Sequence, residues 1–242
     1  TQQRYVDLGL DQSKSQVVGN IKFDIAAPQS YVEKAEQLKQ DWQLLDRQVI
    51  TLASTHSPEE ENLLRQLQAH LNSNPNLLCI VVPRHPERFD EVYKISQSLN
   101  LNTQRRSLKQ PIQTDTQVFL ADSMGEMWLW YALSQACFVG GSLNEPGGGH
   151  NILEPMVLDV PTVIGPRYFN FQSIVDEFVA EHGILIGKDA VQVAQQLLSC
   201  LDDPIQAQQL IEQAKLVLQR NKGSLQKHIL LIDHYLEFKA LS

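Results

Sequence analysis

The sequence of 242 residues has few cysteines and no long hydrophobic run. Cys79, Cys137 and Cys200 are far apart, and an odd number of cysteines without CxxC spacing fits neither a disulfide framework nor a zinc site. Cys79 and Cys137 lie inside apolar runs, which indicates buried thiols in a reducing compartment. No apolar run approaches the roughly 18 residues that a membrane-spanning helix needs. We therefore expect neither disulfides nor structural zinc in this chain.

Positive charge is also scarce. There are 20 Lys and Arg residues against 28 Asp and Glu residues, which gives a net charge of −8. Because a nucleic-acid binder needs a positive face to neutralise phosphates, this balance argues against a nucleic-acid partner while leaving room for a local basic pocket. The sequence begins TQQRYVDLGL, without Met and without a signal peptide, so we expect it to be part of a longer protein.

What is present is an alternation of short apolar runs with segments of helical spacing. The runs are continuous and rich in Val and Ile, as in strands that are covered on both faces. Between them, apolar residues recur at helical spacing, as at Leu63, Leu64, Leu67 and Leu71. This rhythm predicts an α/β fold, a Rossmann-like parallel sheet with helices on both faces. The predicted strands are residues 49–54, 77–82, 117–120, 136–139 and 162–164, with weaker candidates at 16–18 and 183–186.

The segments between these strands also carry predictions. Trp42 and Leu45 are expected on the apolar face of a helix, and Ser57 is expected to cap the helix that begins with Pro58. Residues 101–115 have little apolar content and are predicted to form a surface loop. The last forty residues show helical spacing throughout.

Ligands of such a sheet bind beyond the carboxyl ends of the strands, so functional residues are expected in the turns there. After the second predicted strand, Pro83 and Pro86 flank Arg84 and His85, which fixes the backbone and aims both side chains from the strand end. An arginine there suits a carboxylate or phosphate. Pairing with Glu87 or a neighbouring carboxylate is the alternative, and we favour ligand binding.

The residues after the third and fifth strands give weaker signals. Asp122 or Ser123 is expected to cap a helix, and Gly125 would permit a ligand to approach the backbone. Phe169 and Phe171 are expected to belong to the core.

The densest feature follows the fourth strand, where residues 140–149 contain five of the chain's 12 glycines. Glycines allow backbone N–H groups to face a ligand, and a helix N-terminus adds partial positive charge. His150 and Glu154 are four residues apart, which predicts that they share one helical face. The pattern is neither a P-loop nor GxGxxG. We expect a ligand-binding loop, the alternative being a flexible hairpin without a ligand.

Seven motifs, taken in order along the chain, resemble one family. Together they are similar to the Kdo transferases of lipopolysaccharide synthesis, which move 3-deoxy-D-manno-octulosonic acid (Kdo) from CMP-Kdo onto a lipid A precursor. The motifs are GNIKFD at 19–24, ASTHSPEE at 53–60, VPRHPERF at 82–89, DSMGEM at 122–127, FVGGSL at 138–143, GGHNILEP at 148–155 and GPRYFNF at 165–171.

The resemblance implies roles for individual residues. Pro83 and Arg84 would contact the CMP portion of the donor, with Arg84 near an anionic group. Met124, Gly125 and Glu126 would line the nucleotide pocket.

The glycine-rich motif carries the rest of the implied donor site. Asn151, Ile152, Leu153 and Glu154 would hold phosphate and ribose, with Glu154 accepting hydrogen bonds from sugar hydroxyls. Weaker candidates for contact with the donor are Lys22, Ser54, Thr55, His56, Gly141, Ser142 and His150.

The resemblance covers only the donor-binding half of the family, the C-terminal domain of a GT-B glycosyltransferase. It implies that residues 1–30 are a linker and first-strand region, and that residues 31–242 form the donor domain, C-terminal helices included. The N-terminal half, with the membrane anchor, the acceptor site for lipid A precursor (lipid IVA) and the catalytic glutamate, is absent, so no catalytic residue is expected here.

The same resemblance implies a reaction without metal or cofactor and membrane contact only through the absent half. The full-length enzyme would lie on the cytoplasmic face of the bacterial inner membrane, and this fragment would be soluble and inactive alone. Two alternatives remain open. One is the donor domain of another GT-B enzyme that uses a UDP-sugar, and the other is a nucleotide-binding module without chemistry.

Overall fold

The computed structural model describes residues 2–240 of the chain, with the side chains of residues 2–236. These residues form two compact units. The larger consists of residues 26–217, and the smaller combines the described parts of residues 1–25 and 218–242.

The larger unit is built on a sheet of seven strands. They are β1 (Gln48–Thr55), β2 (Leu77–Pro83), β3 (Thr103–Arg105), β4 (Val118–Leu120), β5 (Ala136–Val139), β6 (Thr162–Ile164) and β7 (Leu185–Ile186). Every pairing is parallel, and the order is β3-β4-β2-β1-β5-β6-β7.

Helices connect these strands. In the larger unit they are α2 (Gln29–Asp41), α3 (Glu59–Ser73), α4 (Phe89–Ser98), α5 (Met127–Leu133), α6 (Leu153–Val157), α7 (Gln172–Ala180) and α8 (Ala190–Asp202). The remaining helices are α1 (Gln2–Asp7), α9 (Pro204–Asn221) and α10 (Ser224–Ala240), so the prediction of a helical C-terminus is confirmed.

Side chains that alternate along each strand supply two hydrophobic cores. Ile50 and Leu52 of β1 face a core that contains Leu67 of α3 and Leu197 of α8. Val49 of β1 belongs to the opposite core, which α2 and α5 complete. The predicted parallel sheet with helices on both faces is therefore confirmed. Because both faces are covered, the central strands β1 and β2 are buried at successive positions.

The strand order reverses beside β1. The chain runs from β1 outward to β2 and β4, and then returns to place β5 on the other side of β1. The carboxyl ends of β1 and β5 therefore border the crevice where ligands bind in open α/β sheets.

Two sequence predictions of strand and loop are wrong. Residues 16–18 are irregular rather than a strand, because no neighbouring strand pairs with them among the described residues. Within the predicted loop at 101–115, Thr103–Arg105 forms the edge strand β3. Its sequence, TQR, is polar. Because β3 lies at the edge of the sheet and pairs through its backbone with β4, it needs no apolar run.

Two helix boundaries also differ from the predictions. Helix α2 ends at Asp41, so Leu45 lies beyond it and is 72% exposed. Pro58 occupies the N-cap position of α3, with no side-chain cap, so Ser57 is not the cap. Instead, the carboxylate of Glu59 accepts a hydrogen bond from the backbone of His56.

In the smaller unit, a polar link joins the segment before residue 25 to the turn between α9 and α10. The carboxylate of Asp24 accepts hydrogen bonds from the backbone N–H groups of Gly223 and Leu225, each at 2.6 Å. These bonds hold the pKa of Asp24 below its usual value. Asp24 thus stabilises the turn between α9 and α10.

All three cysteines are free and buried, which confirms the predicted burial of Cys79 and Cys137. Burial raises the pKa of the Cys137 thiol to about 12, which keeps it protonated. None of the helices in the described part of the chain is both long and apolar enough to cross a bilayer.

The first core predicts the outcome of one truncation. Leu67 is fully buried between the sheet and α8, and replacing it with alanine should lower the free energy of unfolding by about 2–5 kcal/mol. Leu45→Ala, at an exposed position, should change it by less than about 0.5 kcal/mol. Urea unfolding checks both, and equal losses in the two variants would contradict the position of this core.

Candidate functional site

A cavity of about 340 Å³ opens at the carboxyl edge of the sheet. Its walls come from the ends of β1 and β2, from the loops that follow β2, β4, β5 and β6, and from helices α5 and α6. The lining residues are Ser54, Val82, Pro83, Arg84, Ser123, Met124, Gly125, Glu126, Met127, Tyr131, His150, Asn151, Glu154 and Phe171.

Ser54 reaches this cavity through an irregularity in β1. The register with β2 shifts between Ala53 and Thr55, which leaves Ser54 unpaired as in a β-bulge. Its φ of 50° is left-handed, which costs energy for a residue other than glycine. The backbone is fixed on both sides of Ser54. The carbonyl of Ala53 accepts a hydrogen bond from the N–H of Gly140 at 2.8 Å, and the carbonyl of Thr55 accepts one from the N–H of Arg84 at 3.0 Å.

Arg84 is the cationic side chain at the mouth of the cavity. It is exposed, and it forms no ion pair with any residue in the part of the chain that the structure describes. Arg84 does not pair with Glu87, whose Oε1 instead lies 3.7 Å from Nδ1 of His85. Pro83 lines the cavity beside Arg84. The guanidinium therefore keeps its hydrogen-bond donors available for an anion.

Glu126 closes the side of the cavity near β4. Its carboxylate accepts two bonds from Arg106, at 2.9 and 3.0 Å, one from Lys34 at 3.0 Å and one from Ser123 at 2.7 Å. Burial alone would raise the pKa of Glu126, but these donors outweigh it and lower the pKa to about 2. The carboxylate is thus ionised and fixed.

The neighbouring backbone is also held in place. Gly125, with φ +78°, accepts a hydrogen bond at 2.8 Å through its carbonyl from the hydroxyl of Tyr31. Met124 is 59% exposed at the same wall. Neither Asp122 nor Ser123 caps α5, whose N-cap residue is Glu126. Asp122 instead binds Arg105, at 2.7 Å.

Asn151 and Glu154 also line the cavity. Nδ2 of Asn151 donates to Oε1 of Glu154 at 3.2 Å, and its Oδ1 accepts from the backbone of Leu153. Burial raises the pKa of Glu154, and the bond from Asn151 opposes that rise. Helix α6 starts only at Leu153 and is five residues long, so His150 precedes it. The prediction that His150 and Glu154 share a helical face is wrong, although both line the cavity.

Three histidines meet behind Arg84. Nε2 of His56 lies 2.8 Å from Nε2 of His150, and the two ring planes are within 9° of parallel, with 5.1 Å between centroids. The ring of His85 meets that of His56 edge-on at 5.0 Å. A Cβ on Gly141 would lie 2.9 Å from the His150 ring, so only glycine leaves room for it. Burial, with the nearby cations, lowers the pKa of His150 to about 4.

A buried carboxylate joins the loops after β1 and β5. Oε2 of Glu59 accepts from the N–H groups of His56 at 2.9 Å and Gly141 at 2.8 Å. Oε1 accepts from Ser142 at 3.0 Å and Leu143 at 2.8 Å. Burial raises the pKa of Glu59, while the four N–H groups favour its charged form. Glu59 therefore fixes both loops that carry the histidines.

Nine of the residues expected to contact the donor line the cavity: Pro83, Arg84, Met124, Gly125, Glu126, Asn151, Glu154, Ser54 and His150. His56 and Gly141 adjoin it through His150. Their contacts with a donor remain predictions.

The other expected contacts lie elsewhere. Thr55, Ser142, Ile152 and Leu153 are at most 1% exposed and do not line the cavity. The hydroxyl of Ser142 is already used, since it donates to Val139 and accepts from Gly165, each at 2.8 Å. These side chains support the wall from behind. Lys22 lies in the smaller unit, in the short helical turn Ile21–Phe23.

Sequence reasoning missed some residues of the site and misplaced another. It did not single out Glu59, which joins the two loops, as a residue of the site, nor four residues that line the cavity: Val82, Ser123, Met127 and Tyr131. Phe171 was expected in the core but lines the cavity, and Phe169 is 59% exposed. The signal that could have identified Phe171 is its position in the turn that follows a strand.

Among the described residues, no three His, Cys, Asp or Glu side chains are grouped so that they could hold a metal ion. Metal independence of the reaction stays a prediction.

Comparison with known proteins identifies the family. Residues 34–217 match the glycosyl transferases group 1 family. The chain belongs to the group 1 glycosyltransferases. It is 64% identical to the C-terminal CMP-Kdo binding domain of WaaA from Acinetobacter baumannii, whose crystal structure it matches with a TM-score of 0.79, over 79% of this chain and 100% of that one.

Curated relatives of the chain are Kdo transferases. The 3-deoxy-D-manno-octulosonic acid transferase of Haemophilus influenzae is 37% identical over 97% of this chain and 55% of its own length. That of Bordetella pertussis is 31% identical over 91% and 51%. The chain thus spans about half the length of the curated relatives it matches, and the resemblance to Kdo transferases is confirmed.

A more distant structure shares only the fold. Anabaena HepE in complex with UDP and glucose matches with a TM-score of 0.54 at 17% identity, over 97% of this chain and 60% of that one. The predicted GT-B glycosyltransferase fold is confirmed by the family match and by the structure of the WaaA domain.

The network around Glu126 predicts a dependence of stability on pH. Because its pKa falls from 4.5 to about 2 on folding, the stabilisation is complete above pH 4.5 and is lost as the pH falls toward 2. Glu126→Gln should lower the free energy of unfolding at neutral pH by about 1–3 kcal/mol and remove this acid sensitivity. Urea unfolding at several pH values measures both. Glu36→Gln, at an exposed pair, is the control, and an unchanged pH slope in Glu126→Gln would contradict the network.

Because Glu59 accepts four hydrogen bonds, replacing it with the nearly isosteric glutamine should lower the free energy of unfolding. In Glu59→Gln the amide NH₂ would face two backbone N–H donors, so the free energy of unfolding should fall by about 2–4 kcal/mol. Glu61→Gln, on the exposed side of the same helix, should cost less than about 0.5 kcal/mol. Chemical denaturation tests this, and a neutral Glu59→Gln variant would show that the carboxylate does not hold the two loops.

Proposed function

We propose that this chain is the donor-binding domain of an enzyme that transfers Kdo from CMP-Kdo to a lipid A precursor. The observation that carries the proposal is the cavity at the β1/β5 crevice, in a chain 64% identical to a CMP-Kdo binding domain. Arg84, which has no ion-pair partner among the described residues, lies at its mouth. The lipid IVA acceptor, the catalytic base and the membrane contact would belong to the rest of the protein.

The chemistry of the donor suits these walls. CMP-Kdo carries a phosphodiester and a carboxylate, and a guanidinium can bind either through two parallel hydrogen bonds. Asn151 and Glu154 present an amide and a carboxylate to ribose hydroxyls across the cavity. The fixed wall at Gly125 and Glu126 would face the base, where backbone groups can read its edge.

The transfer step would use the charge at this site. The acceptor oxygen forms a bond to the anomeric carbon of Kdo, the bond from that carbon to the phosphate oxygen breaks, and the acceptor proton passes to a base outside this chain. The leaving CMP gains one negative charge. Arg84, held at a rigid strand end, would stabilise that charge as it develops, without a metal ion.

The cavity is small for a sugar nucleotide, at about 340 Å³. Ligand sites for molecules of that size are commonly 300–1,000 Å³ and bury most of the ligand. This fits a domain that supplies one wall of a cleft, with orientation of donor and acceptor completed by the second half.

Calorimetric titration tests the assignment directly. The chain should bind CMP, and Arg84→Ala should weaken binding by about 10- to 100-fold because a charge-assisted hydrogen bond to an anion contributes about 1.5–3 kcal/mol. Arg65→Ala, on the exposed face of α3, is the matched control and should leave the affinity unchanged.

Competition with UDP separates this proposal from a UDP-sugar enzyme. We expect CMP to displace UDP from the cavity, and a preference for UDP would contradict the Kdo assignment. Binding of neither nucleotide, in a chain that unfolds cooperatively, would contradict the donor site itself.

A further inference from the structure

The contact between His56 and His150 holds a hydrogen in a defined place. A neutral imidazole has one N–H and one bare nitrogen, so two Nε2 atoms 2.8 Å apart require that one ring donates and the other accepts. The donating ring then has its bare nitrogen at Nδ1. The pair can therefore accept one further proton, at that Nδ1, without breaking the bond between the rings.

The surroundings oppose this extra proton while the cavity holds no anion. Arg84, Arg88 and His85 all disfavour positive charge on His56. Glu60 favours it, but its Oε1 is 2.6 Å from Arg88, which offsets its charge.

The charges around His150 act in the same direction. Burial, His56, Arg84 and His85 together lower its pKa to about 4. The pKa of His56 is also lowered, chiefly by burial. At neutral pH both rings of the pair are thus uncharged in the free protein.

An anion in the cavity would reverse that balance. His150 lines the cavity, as does Arg84, so an oxyanion bound by Arg84 would lie beside the pair. A negative charge within about 4–6 Å favours the protonated form of a histidine. The hydrogen bond between the rings would strengthen once its donor is an imidazolium.

We propose that the His56–His150 pair takes up one proton from solvent when an oxyanion of the donor binds beside Arg84, so that a single imidazolium helps to hold that anion. This rests on the proposed function, because it takes the ligand to be an anionic sugar nucleotide. When the bond to Kdo breaks and the phosphate gains a second negative charge, the same proton would balance it.

Glycine at position 141 is part of the arrangement. Its φ is +68°, and a Cβ there would lie 2.9 Å from Cδ2 and Nε2 of His150 and 3.6 Å from Cδ2 of His56. Glu59 fixes the backbone of both Gly141 and His56. The ring contact therefore depends on a backbone that holds both partners.

The test is ¹⁵N NMR of the histidine side chains near neutral pH, where the two ring nitrogens of a neutral imidazole differ and those of an imidazolium become similar. The chain is saturated in turn with CMP, with Kdo monosaccharide and with cytidine. CMP should convert one ring of the pair to an imidazolium, whereas cytidine, which has the base and ribose but no oxyanion, should not. The Kdo arm shows whether a carboxylate suffices or the phosphate is required.

Variants connect the signal to the pair. His150→Gln should abolish proton uptake and weaken CMP binding by about tenfold near pH 6, with a smaller loss near pH 8. His70→Gln, at an exposed position on α3, is the matched control and should change neither. A structural role alone for His150 would lower affinity equally at both pH values.

The outcomes are distinct. CMP binding without a change in the His56 or His150 signals would overturn this inference and leave the donor site intact. Absence of CMP binding would overturn both proposals. Equal protonation with cytidine and CMP would show that the pair does not respond to an oxyanion, and would also overturn the inference.

Discussion

The buried carboxylate of Glu59 is the constraint on which the rest of the site depends. In parallel sheets the loops at a reversal of strand order diverge, and their backbone N–H groups need partners when water is excluded. Glu59 supplies both oxygens to four such groups, from His56 in one loop and Gly141, Ser142 and Leu143 in the other. One side chain thereby sets the width of the crevice and the distance between the histidines that the two loops carry.

The charge distribution follows from that backbone. Acidic groups in and around the cavity are either ionised and fully bonded, as Glu126 is, or shifted toward the neutral form by burial, as Glu154 is. Arg84 is left as a cation without an internal partner in the described chain, in a protein whose net charge is −8. Such local separation of charge suits an anionic sugar nucleotide and is invisible in whole-chain composition.

The sequence could predict the elements that burial dictates. Strands with continuous Val and Ile runs were located to within a residue or two, and the rule for parallel sheets placed ligand residues at their carboxyl ends. Thr103–Arg105 could not be found this way, because an edge strand that pairs through its backbone alone needs no apolar pattern. The role of Glu59 depends on partners 82–84 residues away, which no local pattern reveals. The conformation of Ser54 and the short helix after His150 likewise follow from tertiary packing.

The most direct test of the account is a crystal structure of this chain with CMP bound. The account predicts the phosphate within hydrogen-bond distance of Arg84 and beside His150, with the ribose hydroxyls at Glu154 and the base against the wall at Gly125. CMP bound away from the β1/β5 crevice, or oriented with its phosphate toward Glu126, would contradict it.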